Sequence, residues 1–348
     1  MSKTVLIVGN EQPSTLEASY AAAFKKLGWK VVFWEPNSAM HLTTRGGKLG
    51  YLFSNFVTIE PWRQKASQLL LRAVKIAQPD LLLVIATNGI RPGTLGQIKA
   101  LSPHTIMYCL YPDSPHNLDN ERILSFPMFN RLMTSSPAWQ TSFKQLGANN
   151  ATYLPFAADS LLHRPITQNP SNSLTDISFI GDWRLEREQT LEALANFNLQ
   201  IWGGKRWKRV QKGSPLKKAW TGQVALGTDF AKACGQSKIS LNIMDAVTWP
   251  GPNMRTFELP ACRAFALAER TPAILEIFKE GQTIECFASA TEARDKIAYY
   301  LKNETLRWKI AAASYDFVIN QGHTYLDRSK QIANWVEVDL QRNKFNGQ

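Results

Sequence analysis

The chain has 348 residues, with 40 Lys plus Arg against 28 Asp plus Glu, a formal net charge of +12, and 44% apolar residues. At roughly 100–200 residues per domain this length suits two domains, each able to bury its own core, and the ordinary composition excludes disordered and fibrous classes. No apolar run approaches the roughly 18 residues of a membrane span, and MSKTVLIVGN at the start lacks the long apolar stretch and cleavage site of a signal peptide, so a cytoplasmic protein is expected.

Residues 4–9 (TVLIVG) form a continuous apolar run, as for a strand buried on both faces. Ser14 and Glu17 have capping-box spacing behind Pro13. Leu16, Tyr20, Phe24 and Leu27 then recur every three or four residues, and Gly28 ends the predicted helix. Residues 30–34 (KVVFW) predict a second strand, so the unit crosses over right-handedly into a parallel sheet. Residues 36–58 have no clear period and read as a long connection. Pro61 opens a helix with Leu69, Ala73 and Ile76 on one face, stopped by Pro79. Residues 81–86 and 105–111 predict buried strands. Ser136-Pro137 reads as an N-cap with proline at the first helical position; that helix ends at Gly147, and ATYLPF (151–156) follows as a strand.

A stretch rich in Pro, Asn, Ser and Thr at 163–175 marks a linker. The second half restarts with a strand at 176–181, and later strands are predicted at 199–204, 238–243, 264–269 and 283–288. Thr271-Pro272 caps one intervening helix, and Ser289 with Glu292 makes a second capping box. Residues 303–341 are helical by period. The pattern is α/β, with two doubly wound parallel sheets of similar size.

The positive balance implies an anionic partner. Its densest block, 202–220, holds Lys205, Arg206, Lys208, Arg209, Lys212, Lys217 and Lys218 among Trp202, Trp207 and Trp220. It reads either as a solvated basic segment or as an electrostatic surface for phosphate or lipid headgroups. The four cysteines (109, 234, 262, 286) have no C-x-x-C spacing and the five histidines no cluster, so no protein-held metal is expected.

Open parallel sheets bind ligands beyond the carboxyl ends of their strands. Those positions are Gly9, Asn10 and Glu11; Thr87, Asn88 and Gly89; Pro112 to His116; Gly181 to Arg184; Gly203 and Gly204; and Met244, Asp245 and Ala246. No G-x-G-x-x-G, Walker A or G-x-S-x-G sequence is present, which disfavours dehydrogenases, P-loop kinases and α/β-hydrolases. The segment Pro250–Glu258 is the most suggestive. Pro-Gly-Pro delays helix to about Asn253 or Met254, where free amides and Arg255 would favour phosphate. Glu258, on the same face, can accept hydrogen bonds from a vicinal diol. The plain alternative is a first helical turn with an Arg–Glu surface pair.

Here the sequence resembles a known family. ISFIGDWRLEREQTLEAL, KISLNIMDA, MRTFELPACRAFALAE, KIAYYLKNETLRWKIA and HTYLDRSKQI, between about 174 and 335, resemble the CgeB-like (spore maturation type) glycosyltransferases of the GT-B structural class. The run Asn253, Arg255, Phe257, Glu258, Pro260, Ala261 and Cys262 is the most specific part, and YPDSPHN and GANNATYLPFAAD add a weaker match in the first half. The resemblance implies two Rossmann-like domains facing a central cleft: an acceptor-side domain over 1–165, a nucleotide-sugar donor domain over 174–318, and a final helix, 319–348, packing back on the first domain. It implies a metal-independent transfer from a nucleotide-diphosphate sugar, UDP-linked, to a hydroxyl acceptor. Glu258 would take the donor ribose, with Asn253, Arg255, Arg187 and the Gly181 main chain near the diphosphate. The family usually has glycine where Arg263 stands; an arginine there either obstructs the donor or adds a phosphate contact. A related retaining group has a second glutamate where this chain has Ala266.

An inverting transfer needs a base for the acceptor hydroxyl. Asp113 and His116 are the first candidates and Glu11 the second; Asp113 also reads as a turn residue, and a retaining enzyme would need no such base. Trp183, Trp202, Trp249 and His323 are alternative cleft or core residues. Two rival readings stand beside the enzyme: a non-catalytic nucleotide- or glycan-binding relative, and a nucleic-acid binder. No nucleic-acid motif is present, so no such partner is expected, while the 202–220 block leaves a peripheral membrane contact open.

Overall fold

Short apolar runs set both sheets, because a strand covered on each face by helices has no polar side. The computed structural model describes residues 2–36, 49, 60–86, 90–166, 175–245 and 248–346. Met1–Leu154 with Leu326–Gln348 forms one unit and Pro155–Tyr325 a second.

The first unit contains strands β1 (Thr4–Val8), β2 (Lys30–Trp34), β3 (Leu81–Ile85), β4 (Ile106–Tyr111), β5 (Arg131–Thr134) and β6 (Ala151–Tyr153). All pair in parallel, in the order β2-β1-β3-β4-β5-β6. Every residue of β3 and β4 is buried. β5 had no sequence signal: it is four residues long and opens on Arg131, too short to show a period. The helices are α1 (Leu16–Lys26), α2 (Glu60–Ala77), α3 (Pro92–Leu101), α4 (Asn120–Ser125) and α5 (Trp139–Gln145).

Three local expectations fail for physical reasons. Ser14 is not the cap of α1; its φ is +66°, and Thr15 Oγ1 accepts from Ala18 N instead. Glu17 does not close a box but accepts from Asn10 N at 3.2 Å and crosses above Gly9, where a Cβ would collide with it. On α2 the inward face is Ala66, Leu70 and Val74, while Ile76 is 75% exposed. α5 starts later than Ser136-Pro137 suggested, and Ser136 offers its carbonyl to Trp139 N at 3.3 Å. Apart from Pro36 and Leu49, the connection expected over 36–58 lies outside the described residues, as do Thr87, Asn88, Gly89 and Ala246.

The second unit contains β7 (Thr175–Ile180), β8 (Leu199–Trp202), β9 (Ser237–Asn242), β10 (Ala266–Glu269) and β11 (Glu285–Phe287). They are also parallel, in the order β11-β10-β9-β7-β8. Its helices are α6 (Leu185–Glu192), α7 (Leu216–Ala219), α8 (Thr228–Gly235), α9 (Arg255–Ala261), α10 (Pro272–Ile277), α11 (Ala290–Lys302) and α12 (Glu304–Asn320). Thr271 and Ser289 cap α10 and α11, accepting from Ile274 N and Glu292 N. The last helix, α13 (Tyr325–Asn346), begins at the division, and from Leu326 onward it belongs to the first unit. Tyr108 donates to Asp339 Oδ2 at 2.5 Å, and the Arg131 guanidinium lies 4.6 Å from the Trp335 ring centroid.

At the β10–β11 side, Arg270 donates to Glu280 and Glu292, and Lys296 donates to Glu280 and Glu285. Hydrogen bonding to Arg270, then to Lys296, holds the Glu280 carboxyl at about 2; Arg270 does the same for Glu292, also at about 2. These depressed acids stabilise the fold above their unfolded value of ~4.3. That stability disappears as pH falls from there through about 2. Arg270→Met therefore lowers the melting temperature most near pH 6, and the gap to the parent narrows below pH ~4.3. A gap of constant size across a thermal-melt pH series would show that the network carries no such linkage.

Candidate functional site

In the second sheet the connections leave β7 and β9 toward opposite edges, so the switch point lies between them. A parallel sheet leaves an opening there beyond the strand ends. Two arginines hold these ends. Arg255 Nε donates to Ile180 O, at the end of β7, at 3.1 Å. Arg187, on the first turn of α6, donates from Nε to Ile243 O and from Nη1 to Asp182 O, each at 3.1 Å. Its Nη2 pairs with Asp245 Oδ2 at 3.2 Å, and Arg184 Nε is 3.9 Å from the same oxygen. Burial lowers the Arg187 pKa; Asp245 opposes that, while Arg184 and Arg255 reinforce it, so three guanidiniums share one field. The Arg255 guanidinium also sits 4.5 Å from the Phe230 ring centroid, a cation–π contact.

The segment before α9 is fixed by amides. Asn253 Nδ2 donates to Asn242 Oδ1 at 2.8 Å, and Asn253 Oδ1 accepts from Thr256 N and Thr256 Oγ1, both at 3.1 Å. Asn242 returns a bond to Thr256 Oγ1 at 3.1 Å. Asn253 is thus engaged as a brace between β9 and α9. Of the amides in this first turn, Thr256 N bonds Asn253, and Phe257 N and Glu258 N bond Met254 O.

Glu258 is 2% exposed. Its Oε2 pairs with Arg255 Nη1, so the two residues share a face as the spacing indicated. Its Oε1 lies 3.6 Å from His163 Nε2. Asp159 N donates to His163 Nδ1 at 3.2 Å, which leaves the proton of a neutral ring on Nε2, facing the carboxylate. His163 packs edge-on against Phe230, their centroids 5.3 Å apart. The carboxylate expected to meet a diol is therefore engaged by two side chains of its own unit.

Gly181 differs from expectation. Its N–H donates to Trp202 O at 2.9 Å and its carbonyl accepts from Trp207 Nε1 at 3.0 Å. A Cβ there would lie 2.8 Å from the Phe179 ring, so the glycine serves packing and its amide is not available to phosphate. Arg263 also departs from its predicted place. It lies exposed at the far end of α9 from Arg255, on the order of 10 Å along the helix. Arg263 N bonds Pro260 O at 2.8 Å and Ala264 N bonds Leu259 O at 3.2 Å, a Schellman motif with Arg263 at φ +57°. A glycine would fit this position for its left-handed conformation.

Glu269, at the end of β10, accepts from Met244 N at 2.9 Å, and burial raises its pKa. Trp183 Nε1 donates to Glu188 at 2.6 Å and Trp202 Nε1 to Gln200 at 3.3 Å, while Trp249 is exposed. His323 stacks with Phe257, 5.8 Å between centroids, and lies 4.6 Å from Phe317. The four cysteines are buried and unbridged. Among the described residues no cluster of three or more His, Cys, Asp and Glu could hold a metal ion.

In the first unit Glu11 is exposed beyond β1, and Asp113 is half-buried beyond β4. His116 follows in the exposed turn Pro115–Asn117, its N–H donating to Ser114 Oγ at 3.3 Å. Asp113 and His116 lie on one loop. β3 separates β1 from β4, which puts the Glu11 loop roughly 10 Å from it at the usual strand spacing. Sequence reasoning missed His163, which sits in a segment that reads as linker, and Phe230, which reads as an ordinary core residue.

Residues 186–334, which include Arg187, Arg255 and Glu258, match the family model described as "Glycosyl transferase-like". The chain is similar to a glycosyltransferase structure from Rickettsia africae ESF-5 (TM-score 0.67, 13% identity, 98% of this chain and 99% of that one). It is also similar to sucrose-phosphate synthase from Thermosynechococcus elongatus (TM-score 0.71, 11% identity, 99% and 100%). The fold is GT-B. The chain is similar as well to Anabaena Alr3699/HepE in complex with UDP (TM-score 0.64, 14% identity, 97% and 100%). No curated protein matches the chain in sequence. Among the described residues no helix is long and apolar enough to cross a membrane.

Arg263→Gly should stabilise the protein by about 1 kcal/mol, since it removes the left-handed strain of a residue with a Cβ. Urea denaturation measures this. An unchanged or lowered midpoint would mean that the arginine side chain compensates for its backbone.

Proposed function

We propose that the protein is a CgeB-like glycosyltransferase that moves a hexosyl group from a UDP-sugar to a hydroxyl-bearing acceptor in the cytoplasm. The observation that carries this reading is the convergence of Arg184, Arg187 and Arg255 on the switch point of the unit containing most of the glycosyl transferase-like segment. In the reaction the acceptor oxygen bonds to the anomeric carbon, and the bond from that carbon to the diphosphate oxygen breaks. UDP leaves with the electron pair. The guanidiniums neutralise the charge that develops on the leaving diphosphate, a role preorganised cations perform without reorganising, so the proposal needs no metal. Glu258 takes the donor ribose after exchanging one of its present partners for a hydroxyl. In an inverting course the acceptor proton passes to Asp113 or His116, with Glu11 the further candidate; in a retaining course the leaving phosphate accepts it.

Titration calorimetry against UDP and a panel of UDP-, GDP- and ADP-hexoses tests the donor. UDP and at least one UDP-hexose should bind, and Arg255→Ala should weaken UDP roughly 10- to 100-fold, the value of a charge-assisted contact. Failure of every nucleotide to bind overturns the proposal. A second reading, a non-catalytic nucleotide-binding relative, is favoured by the Glu258 carboxylate closed between Arg255 and His163. It predicts nucleotide binding with no donor hydrolysis above background, and no change in that background in Glu258→Gln. The enzyme predicts measurable hydrolysis that Glu258→Gln reduces.

A further inference from the structure

Residues 199–226 contain seven cations and no acidic residue. They surround β8, the edge strand of the second sheet. All seven cationic side chains are exposed. Among the described residues only Arg206 meets an acid, Asp182 at 3.1 Å, while Arg209 lies 5.7 Å from the Trp183 ring centroid. Lys205, Lys208, Lys212, Lys217 and Lys218 make no ion pair among the described residues. The tryptophans turn their indole N–H groups inward, Trp207 being buried and Trp202 and Trp220 half-buried. Trp207 is buried with its indole N–H on Gly181 O, Trp220 donates to Gly203 O at 2.9 Å, and Trp202 donates to Gln200.

Apolar surface lies among these lysines. Thr221 N donates to Ile201 O and Gly203 N to Gln223 O, both at 2.9 Å, so residues 221–223 run along the outer side of β8. Beyond them Val224 and Leu226, each 55% exposed, flank the buried Ala225. At the other end of β8 an open groove of 270 Å³ is lined by Phe197, Leu199, Pro215 and Ala219 together with the polar Asn198 and Lys218.

We propose that this edge of the second sheet docks on an anionic phospholipid surface. Exposed lysines with no acidic partner among the described residues suit a two-dimensional array of phosphates, and each adds roughly fivefold to affinity near such a surface. The exposed Val224 and Leu226 suit the apolar boundary just below the headgroups. A single-stranded nucleic acid would need aromatic faces for its bases. Here the indole N–H groups of all three tryptophans are bonded inside the protein. The proposal is independent of the glycosyltransferase reading, because none of these residues belongs to the arginine cluster.

Sedimentation of the full chain with phosphatidylcholine vesicles, with and without phosphatidylglycerol, tests it. Binding should require phosphatidylglycerol and weaken as salt rises. The triple change Lys212→Gln/Lys217→Gln/Lys218→Gln should weaken vesicle binding roughly a hundredfold, with an unchanged melting temperature. Val224→Ser/Leu226→Ser should weaken vesicle binding but leave heparin binding unchanged. Equal binding to both vesicle types, or a triple variant that binds as the parent does, overturns the proposal. So does tighter binding to a single-stranded RNA than to the vesicles at the same salt, which would assign the surface to nucleic acid.

Discussion

Two strand-end carbonyls, Ile180 O and Ile243 O, each accept a hydrogen bond from a guanidinium. The rest of the candidate site depends on this pair of bonds. A parallel strand that ends beside a switch point leaves its last carbonyls without a neighbouring strand, and a buried unpaired carbonyl is costly. Arginine can fill that need with Nε and still extend charged Nη groups, because its donors are spread around a rigid plane. Arg187 uses Nε on Ile243, Nη1 on Asp182 and Nη2 on Asp245. The bonds that complete the sheet therefore also fix the direction of the charges. Removal of Arg255 or Arg187 would disturb the fold and the field together, so binding losses in such variants are read beside their melting curves.

Glu258 follows from the same arrangement. A carboxylate with 2% exposure needs compensation for lost hydration, and Arg255 and His163 provide it. His163 is itself anchored through Nδ1 to the Asp159 amide, so its Nε2 cannot swing away without breaking a backbone contact. Any ligand hydroxyl that reached Glu258 would have to substitute for one of these partners. The second unit thus holds its most buried acid in a ready-made shell of donors.

Much of the architecture was legible in the chain because parallel strands are apolar on both faces. LLLVI and IMYCLY could not be solvated elements. β5 escaped because four residues opening on arginine carry no periodicity. Caps were less legible, since several residues can satisfy one amide: Thr15 took the place expected of Ser14, and Glu17 turned to Asn10. The Arg255–Glu258 pair could be anticipated from three-residue spacing on a helix. His163, 95 residues from Glu258, could not, because only the tertiary fold brings it there. At Gly181 and Asn253, expected beside a diphosphate, the structure shows packing and bracing inside the unit, which no spacing in the sequence announces.

The net charge of +12 illustrates why composition alone could not locate an anion site. The charge is held in two physically different forms. At the switch point arginines are partly dried, bonded to backbone carbonyls and opposed by Asp245 and Glu258, so the local excess is small but its direction is fixed. Along β8 the five cations without an ion pair among the described residues are all lysines, strongly hydrated point charges on flexible stems, with no acid in the segment. Fixed arginines recognise one phosphate geometry; hydrated lysines respond to the density of negative charge and little else. The larger share of the excess charge therefore lies on flexible surface lysines, and the smaller share is fixed in direction at the switch point.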